Sequence, residues 1–352
     1  MKVLAILVEP ANYTLDLIRK VYAPRAIDFV YIKNQSDAGV DVCTSFLDGL
    51  SPLKRILRLL RFLRQYDVFI VNGYTGATAL MFIFLNLFFF RKPFAIESDT
   101  KLSIPSRWSR RLVKSCWLGF LFSRRCCYGF PGGGFEHRQL FLHYGMPENH
   151  VFVMPMVVDN VQYVPQVERC RGDVFRFGYL GRLVPLKQVD KVLSSFGDVP
   201  APSVEFHVIG DGEMRMSLED RFRSDSRVVF HGAAFGAKKI KLLQSLDCLV
   251  LYSDHEQWGL VVNEALAAGV PCIVSDRVGS RHELVEAKGL LGATGLVVPW
   301  DDQVKLTQAM CKMVEDRAFY TVCVANARAR MQTWNYEYYG RQLDSFLMHL
   351  SK

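Results

Sequence analysis

Short apolar runs, four to seven residues long, recur along the chain, and stretches with helical spacing separate them. In the first half, Lys2–Val8, Ile27–Ile32, Asp67–Gly73 and the run KPFAIESD read as strands, the last ending in Glu97 and Asp99. Tyr13–Val21, Leu53–Gln65 and Ala79–Phe90 read as the helices between them. Strand runs this short, apolar throughout and alternating with helices, predict an α/β fold with parallel sheets. The second half restarts the pattern with Val174–Leu183, Val204–Glu213, RVVFHG, LDCLVLYS, Pro271–Asp276 and Gly295–Trp300. Within it, GLVVNEALAAG reads as a helix opened by Gly259 and closed by Gly269.

The chain therefore repeats a Rossmann-like, doubly wound unit, with a seam near Val157–Asp173. The expected domains are residues 1–165, residues 166–333 and a C-terminal helix over 334–352 that packs back across the seam. In open sheets of this class ligands bind beyond the carboxyl ends of the strands. Two such sheets facing each other leave a cleft between them.

Composition narrows the class. The 352 residues are half hydrophobic and 22% charged, enough for real cores in two or three domains. A net charge of +8 points to an anionic partner: a phosphorylated substrate, a membrane surface or nucleic acid. The nine cysteines are scattered, which fits reduced thiols and a cytoplasmic setting, and Cys126–Cys127 lacks the second pair a zinc site needs. The start, MKVLAILVEP, turns polar too soon for a signal peptide. Ala79–Phe90 falls short of the roughly 20 apolar residues of a spanning helix.

The loops carry the candidate chemistry. In GYLGRLVPLKQVD, Gly181 permits a close backbone turn, and Arg182 and Lys187 follow at a strand's carboxyl end, where paired cations suit a phosphate. Solvated surface cations would read the same way. In EQWGLVVNEALAAG, the first-turn N–H groups of Gly259, Leu260 and Val261 can face a diphosphate. Glu256 and Glu264 flank that turn, and carboxylates accept hydrogen bonds from sugar hydroxyls. A capping acid and a helix-face acid remain the plain alternative. Glu97 and Asp99 are the acidic candidates from the first half. His207 and His231 fall inside strands and read as satisfied internal histidines, while Trp258 reads equally as a packing wedge or a cleft wall.

These segments resemble a family. YSDHEQWGLVVNEALAAGVPCIVSD resembles the E-x7-E signature of retaining glycosyltransferases of the GT-B fold, family 4. GYLGRLVPLKQVD, with Lys187 five positions after Arg182, is similar to its glycine-arginine-lysine segment, VIGDGE to its glycine turn, and GLVVPWDD to a segment near the end of its catalytic domain. The likeness covers roughly Phe175–Asp302, with several segments in order. It implies a GT-B fold, two Rossmann-like domains facing across a cleft, with the acceptor on the first and a nucleotide-sugar donor on the second. By the same resemblance, Arg182 and Lys187 neutralise the donor diphosphate, Glu264 holds the ribose and Glu256 the transferred sugar, with Glu97 and Asp99 near the reacting carbon. It also implies retention of configuration, front-face attack and no metal, and no D-x-D triplet argues for a metal-dependent alternative. Where the family often has paired glycines after its first strand, this chain has EPANYTLD.

Two basic segments remain. SPLKRILRLLRFLRQYD sets Lys54, Arg58 and Arg61 on one helical side and Leu53, Ile56, Leu57, Leu60 and Leu63 on another. SRWSRRLVKSCWLGFLFSRRCC mixes six cations with two tryptophans. Basic amphipathic helices lie on anionic bilayers, so peripheral contact with the cytoplasmic face of a membrane is expected, beside a glycan or lipid-linked acceptor. No recognisable nucleic-acid module accompanies them. The expected role is in cell-surface polysaccharide or glycoconjugate synthesis. The rivals are a nucleotide-sugar epimerase of the same architecture and a non-catalytic nucleotide-binding module.

Overall fold

The computed structural model describes residues 1–33, 46–165, 173–200, 203–286 and 292–351, so residues 166–172 of the expected seam lie outside the described residues. The chain divides into two compact units, residues 1–157 with 336–352, and residues 158–335.

The first unit runs β1 (Val3–Leu7), α1 (Asn12–Leu17), β2 (Asp28–Tyr31), α2 (Pro52–Gln65), β3 (Val68–Asn72), α3 (Ala77–Leu85), β4 (Phe94–Ser98), α4 (Trp108–Phe122), β5 (Cys127–Pro131) and α5 (Glu136–His143). A wider helical turn, Asn86–Phe90, prolongs α3. All pairings are parallel, in the order β2-β1-β3-β4-β5. β1, fully buried as VLAIL, forms the centre with β3 and β4. One side is sealed by Leu59, Leu63, Phe82, Ile83, Leu118, Leu121 and Phe122 from α2, α3 and α4. The strand order reverses between β1 and β3, which is where ligand crevices open in this class of sheet.

Helix α2 corrects the sequence reading. Its buried positions are Leu59 and Leu63, while Leu53 and Leu57 stand 67% and 58% exposed. The sheet takes only a narrow stripe of this helix. Leu53 and Leu57 fall on the adjoining stripe, in register with Arg61 and Arg64. Strand β5 was not anticipated either, because CYGFP sits directly after the basic run ending at Arg125.

The second unit runs α6 (Asn160–Tyr163), β6 (Phe175–Leu180), α7 (Val189–Gly197), β7 (Val204–Ile209), α8 (Arg215–Arg221), β8 (Val228–Gly232), α9 (Gly236–Gln244), β9 (Cys248–Leu251), α10 (Leu260–Ala267), β10 (Cys272–Ser275), β11 (Gly295–Val298), α11 (Gln303–Glu315) and α12 (Arg317–Thr333). Its parallel sheet has the order β11-β10-β9-β6-β7-β8, reversing between β6 and β9. The final helix, α13 (Tyr336–Leu350), belongs to the first unit. There Phe346 packs edge-on against Tyr128 and Phe130 of β5, and Asp344 pairs with Arg25 at 2.7 Å.

Candidate functional site

The loops leaving β6 and β9, the two strands at the reversal of the second sheet, carry most of the predicted donor residues. The β6 loop is tightly held. A Cβ on Gly210 would lie 1.8 Å from the Gly181 carbonyl oxygen, so the β7 turn closes on this loop only because it has glycine there. The Tyr179 hydroxyl donates to the Arg182 carbonyl at 2.7 Å. Loss of water around that hydroxyl raises its pKa; the Glu256 charge adds to the shift and the Arg182 charge opposes it. Both charged side chains therefore lie within electrostatic reach of one tyrosine. The β9 loop is tied to the β6 loop by the Asp254 N–H to the Leu186 carbonyl, 3.0 Å, and by an ion pair between Lys187 and Glu256. The resemblance assigned Lys187 to phosphate and Glu256 to sugar; in the fold the two pair with each other.

Glu256 is fixed from behind by a short bridge to Val278, with its carbonyl accepting from the Gly279 N–H at 3.1 Å. Gly259 then turns the chain at φ +90°, and a Cβ there would meet Leu251 at 3.0 Å and Val278 at 3.3 Å. α10 starts at once, so the N–H groups of Gly259, Leu260 and Val261 have no partner in the helical ladder. Trp258 is a packing wedge: it is 2% exposed, donates from Nε1 to Asn263 Oδ1 at 2.8 Å and stacks on Trp334 at 5.7 Å.

Glu264 lies one helical turn further in and is buried. Its Oε1 accepts from Lys239 Nζ at 2.7 Å and from the Tyr163 hydroxyl at 2.9 Å. Neither partner was named from the sequence. Lys239 lies in the run AKKIK, where spacing does not distinguish which lysine faces inward, and Tyr163 is 101 residues from Glu264. His207 and His231 are half-buried rather than internal: they stack and share a 2.8 Å hydrogen bond on the sheet, with Glu205 beneath.

In the first unit a cavity of about 330 Å³ opens at the β1/β3 reversal. It is bounded by Tyr13, Tyr74, Tyr336 and Tyr339, with Glu97 and Asp99 at the end of β4. Tyr13 stands where the resemblance led one to look for glycines. Loss of water around its hydroxyl, with the charges of Glu97 and Asp99, pushes its pKa up to about 12. Glu97 accepts from the Tyr339 hydroxyl at 2.8 Å and from Asn72 Nδ2 at 3.1 Å. Burial raises the Glu97 pKa, the two hydrogen bonds pull it back, and the Asp99 charge raises it further. The Tyr22 hydroxyl lies 3.3 Å from that of Tyr339, so α13 supplies the middle member of a buried polar chain. Asp99 is exposed at the rim. Among the described residues, no cluster of three or more His, Cys, Asp or Glu side chains is placed to hold a metal ion, and no helix is long and apolar enough to cross a membrane.

Residues 164–330, nearly the whole second unit, match the family model described as glycosyl transferases group 1, and that unit is a domain of this family. Over 146 residues the chain is 32% identical to a GDP-mannose-dependent alpha-mannosyltransferase of Mycobacterium tuberculosis, covering 41% of this chain and 36% of that protein. Over 178 residues it is 28% identical to a GDP-mannose-dependent mannosyltransferase of Corynebacterium glutamicum that acts on a monoacylated phosphatidylinositol monomannoside, covering 47% and 45%. The chain thus spans less than half the length of these relatives. Across 99% of its length it shares the fold of Anabaena Alr3699/HepE in complex with UDP, at a TM-score of 0.75, 16% identity and full coverage of that chain. The two-sheet architecture is that of the GT-B glycosyltransferases.

Proposed function

We propose that this chain is a retaining glycosyltransferase, of family 4 within that fold, which moves a hexosyl group from a nucleotide diphosphate-sugar to a glycan or lipid-linked acceptor. The observation that carries the proposal is the pair of loops at the β6/β9 reversal. They bring Arg182, the Lys187–Glu256 pair and the open first turn at Gly259–Val261 to one sheet end, with Glu264 one turn deeper. Breaking a sugar–diphosphate bond builds charge on the departing phosphate. Two cations and a helix start meet that charge without a metal ion. Glu264, already oriented by Lys239 and Tyr163, is the acceptor for ribose hydroxyls, and Glu256 for those of the transferred sugar. Donor binding then releases Lys187 from Glu256 towards phosphate.

Glu97 and Asp99 complete the proposed catalytic set from the first unit, whose tyrosine-lined cavity suits the acceptor. A lipid-linked acceptor brings the protein to the cytoplasmic face of a membrane, in polysaccharide or glycoconjugate synthesis. The experiment is thermal unfolding with UDP, GDP and other nucleoside diphosphates, with and without EDTA. Ligand at a hundred times its Kd stabilises by about 2.7 kcal/mol. The Glu256→Ala protein is then assayed for sugar transfer, with donor-alone controls for epimerisation. A nucleoside diphosphate shift that survives EDTA, with transfer lost in the variant, is expected. Unaltered transfer by that variant removes Glu256 from the site.

A further inference from the structure

The positive charge of this protein is concentrated in one part of the first unit. The segments 52–65, 77–92 and 107–125 hold 13 of the 43 cationic residues and none of the 35 acidic ones. The remaining chain, with 30 cations against 35 acids, carries −5. These segments are α2, α3 with its following turn, and α4 with its flanks.

The same segments expose large apolar side chains. Phe88 stacks on Phe84 at 5.9 Å and 7°, Phe84 on Trp117 at 5.5 Å, and Trp117 on Phe120 at 6.3 Å. This ladder joins the turn after α3 to α4. Next to Phe88 in the chain, Phe89 stands 75% exposed, and Trp108, at the start of α4, 77% exposed. The Arg124 guanidinium lies over the Phe120 ring at 4.2 Å. A row of exposed aromatics at this density, rimmed by arginines, marks an interaction surface rather than ordinary scatter.

We infer that the aromatic ladder of α3 and α4 is the edge that enters an anionic lipid bilayer, with the surrounding arginines on the headgroup phosphates. Charge selects this occupant. A second copy of the chain would bring the same acid-free face against itself and be repelled. A nucleic-acid strand would use the rings and the cations but has no partner for exposed Leu112 and Val113. Rings inserted to the acyl boundary and cations at headgroup level satisfy both sets. The ladder, and not the sequence-prominent stripe of α2, provides the inserting rings. The inference is independent of the transferase reading, which survives its failure.

The test is flotation of the full chain with vesicles of phosphatidylcholine alone and of phosphatidylcholine with phosphatidylglycerol in equal parts. Binding to the anionic vesicles only is expected, weakening steeply with salt as the Debye length shortens. Phe88→Ser with Phe89→Ser lowers the partition coefficient about tenfold or more. Arg110→Gln with Arg111→Gln lowers it as well and flattens the salt dependence. The thermal unfolding midpoint without ligand and the far-ultraviolet circular dichroism stay unchanged in both variants, which shows them folded. Equal binding to both vesicle types, wild-type binding by the Phe variant, or displacement by an oligonucleotide overturns the inference. So does a dimer in sedimentation equilibrium that Phe88→Ser dissolves.

Discussion

Lys239 Nζ and the Tyr163 hydroxyl meet on the same oxygen of Glu264, at 2.7 and 2.9 Å. Two donors from α9 and α6 thus fix a buried carboxylate on α10. On the proposed reading Glu264→Ala removes the acceptor for ribose, and it leaves Lys239 without this carboxylate. Hydrogen bonds to a charged group contribute about 1.5–3 kcal/mol, so the donor KM should rise about 10- to 100-fold with kcat changed less. Chemical unfolding should also show a loss of about 1–3 kcal/mol. Steady-state kinetics against donor concentration checks the first, and an unchanged KM removes Glu264 from the donor.

The Lys187–Glu256 pair makes a second, sharper expectation. Both side chains are mostly buried, at 13% and 19% exposure, and each is the other's counter-charge. Single substitutions to alanine leave one charge unpaired, whereas the double substitution leaves none. A double-mutant cycle on unfolding free energy should give a coupling of about 1–3 kcal/mol. Nucleoside diphosphate affinity should fall in Lys187→Ala, and the fall should be larger at low salt. Additive stabilities would mean the pair is incidental.

How far these features could be read from the chain depends on distance along it. The parallel strands are legible because a doubly covered strand must be apolar on both faces, as VLAIL and CLVL are. β5 is not, because Gly129 and Pro131 interrupt its short run, which follows directly on six cations. Arg182, Lys187, Glu256 and Glu264 stand out through local glycine, cation and acid spacing. Their partners do not: Tyr339 reaches Glu97 across 242 positions and Tyr163 reaches Glu264 across 101. Periodicity likewise marks α2 as amphipathic without saying how much of its apolar side the sheet covers; Leu53 and Leu57 are the part left exposed.

Glu97 supplies a pH signature. Its pKa is raised in the fold, chiefly by burial, so the folded state holds its proton more tightly than the unfolded chain. That contribution is present at low pH and is lost as pH rises from the ordinary carboxylate range through the raised value. Glu97→Gln should match the wild type in acid and gain stability relative to it across that window. Tyr339→Phe removes a hydrogen bond that favours the charged form, so the acid limb of kcat/KM should move to higher pH. A Tyr339→Phe limb that stays in place would separate Glu97 from the reaction.

Gly259 is required by the backbone. At φ +90°, with Leu251 and Val278 closing on the site of a Cβ, Gly259→Ala combines left-handed strain with a tight contact. The cost should be about 1–3 kcal/mol in unfolding. Because the same turn aims the α10 amides, nucleoside diphosphate affinity should fall as well. Gly197→Ala, at a position with open space around it and no positive φ, is the control and should change neither by more than a few tenths of a kcal/mol, or about 0.5 at most.

The charged side chains lining the first-unit cavity are of one sign. Glu97 and Asp99 are its only charged lining residues among those described, and both are acids. A phosphate about 5 Å from a carboxylate meets about 3 kcal/mol of repulsion per charge pair at an effective dielectric near 20, and under about 1 kcal/mol in open water. Asp99 is exposed at the rim, so the lower figure governs and the discrimination is about fourfold. The tyrosines, by contrast, offer ring faces and hydroxyls that suit an uncharged sugar. On the proposed reading, neutral glycosides should therefore compete with acceptor about four times better than the same sugars carrying a phosphate. The preference should shrink in Asp99→Asn with donor KM unaltered. Stronger inhibition by the phosphorylated sugar would place the acceptor elsewhere.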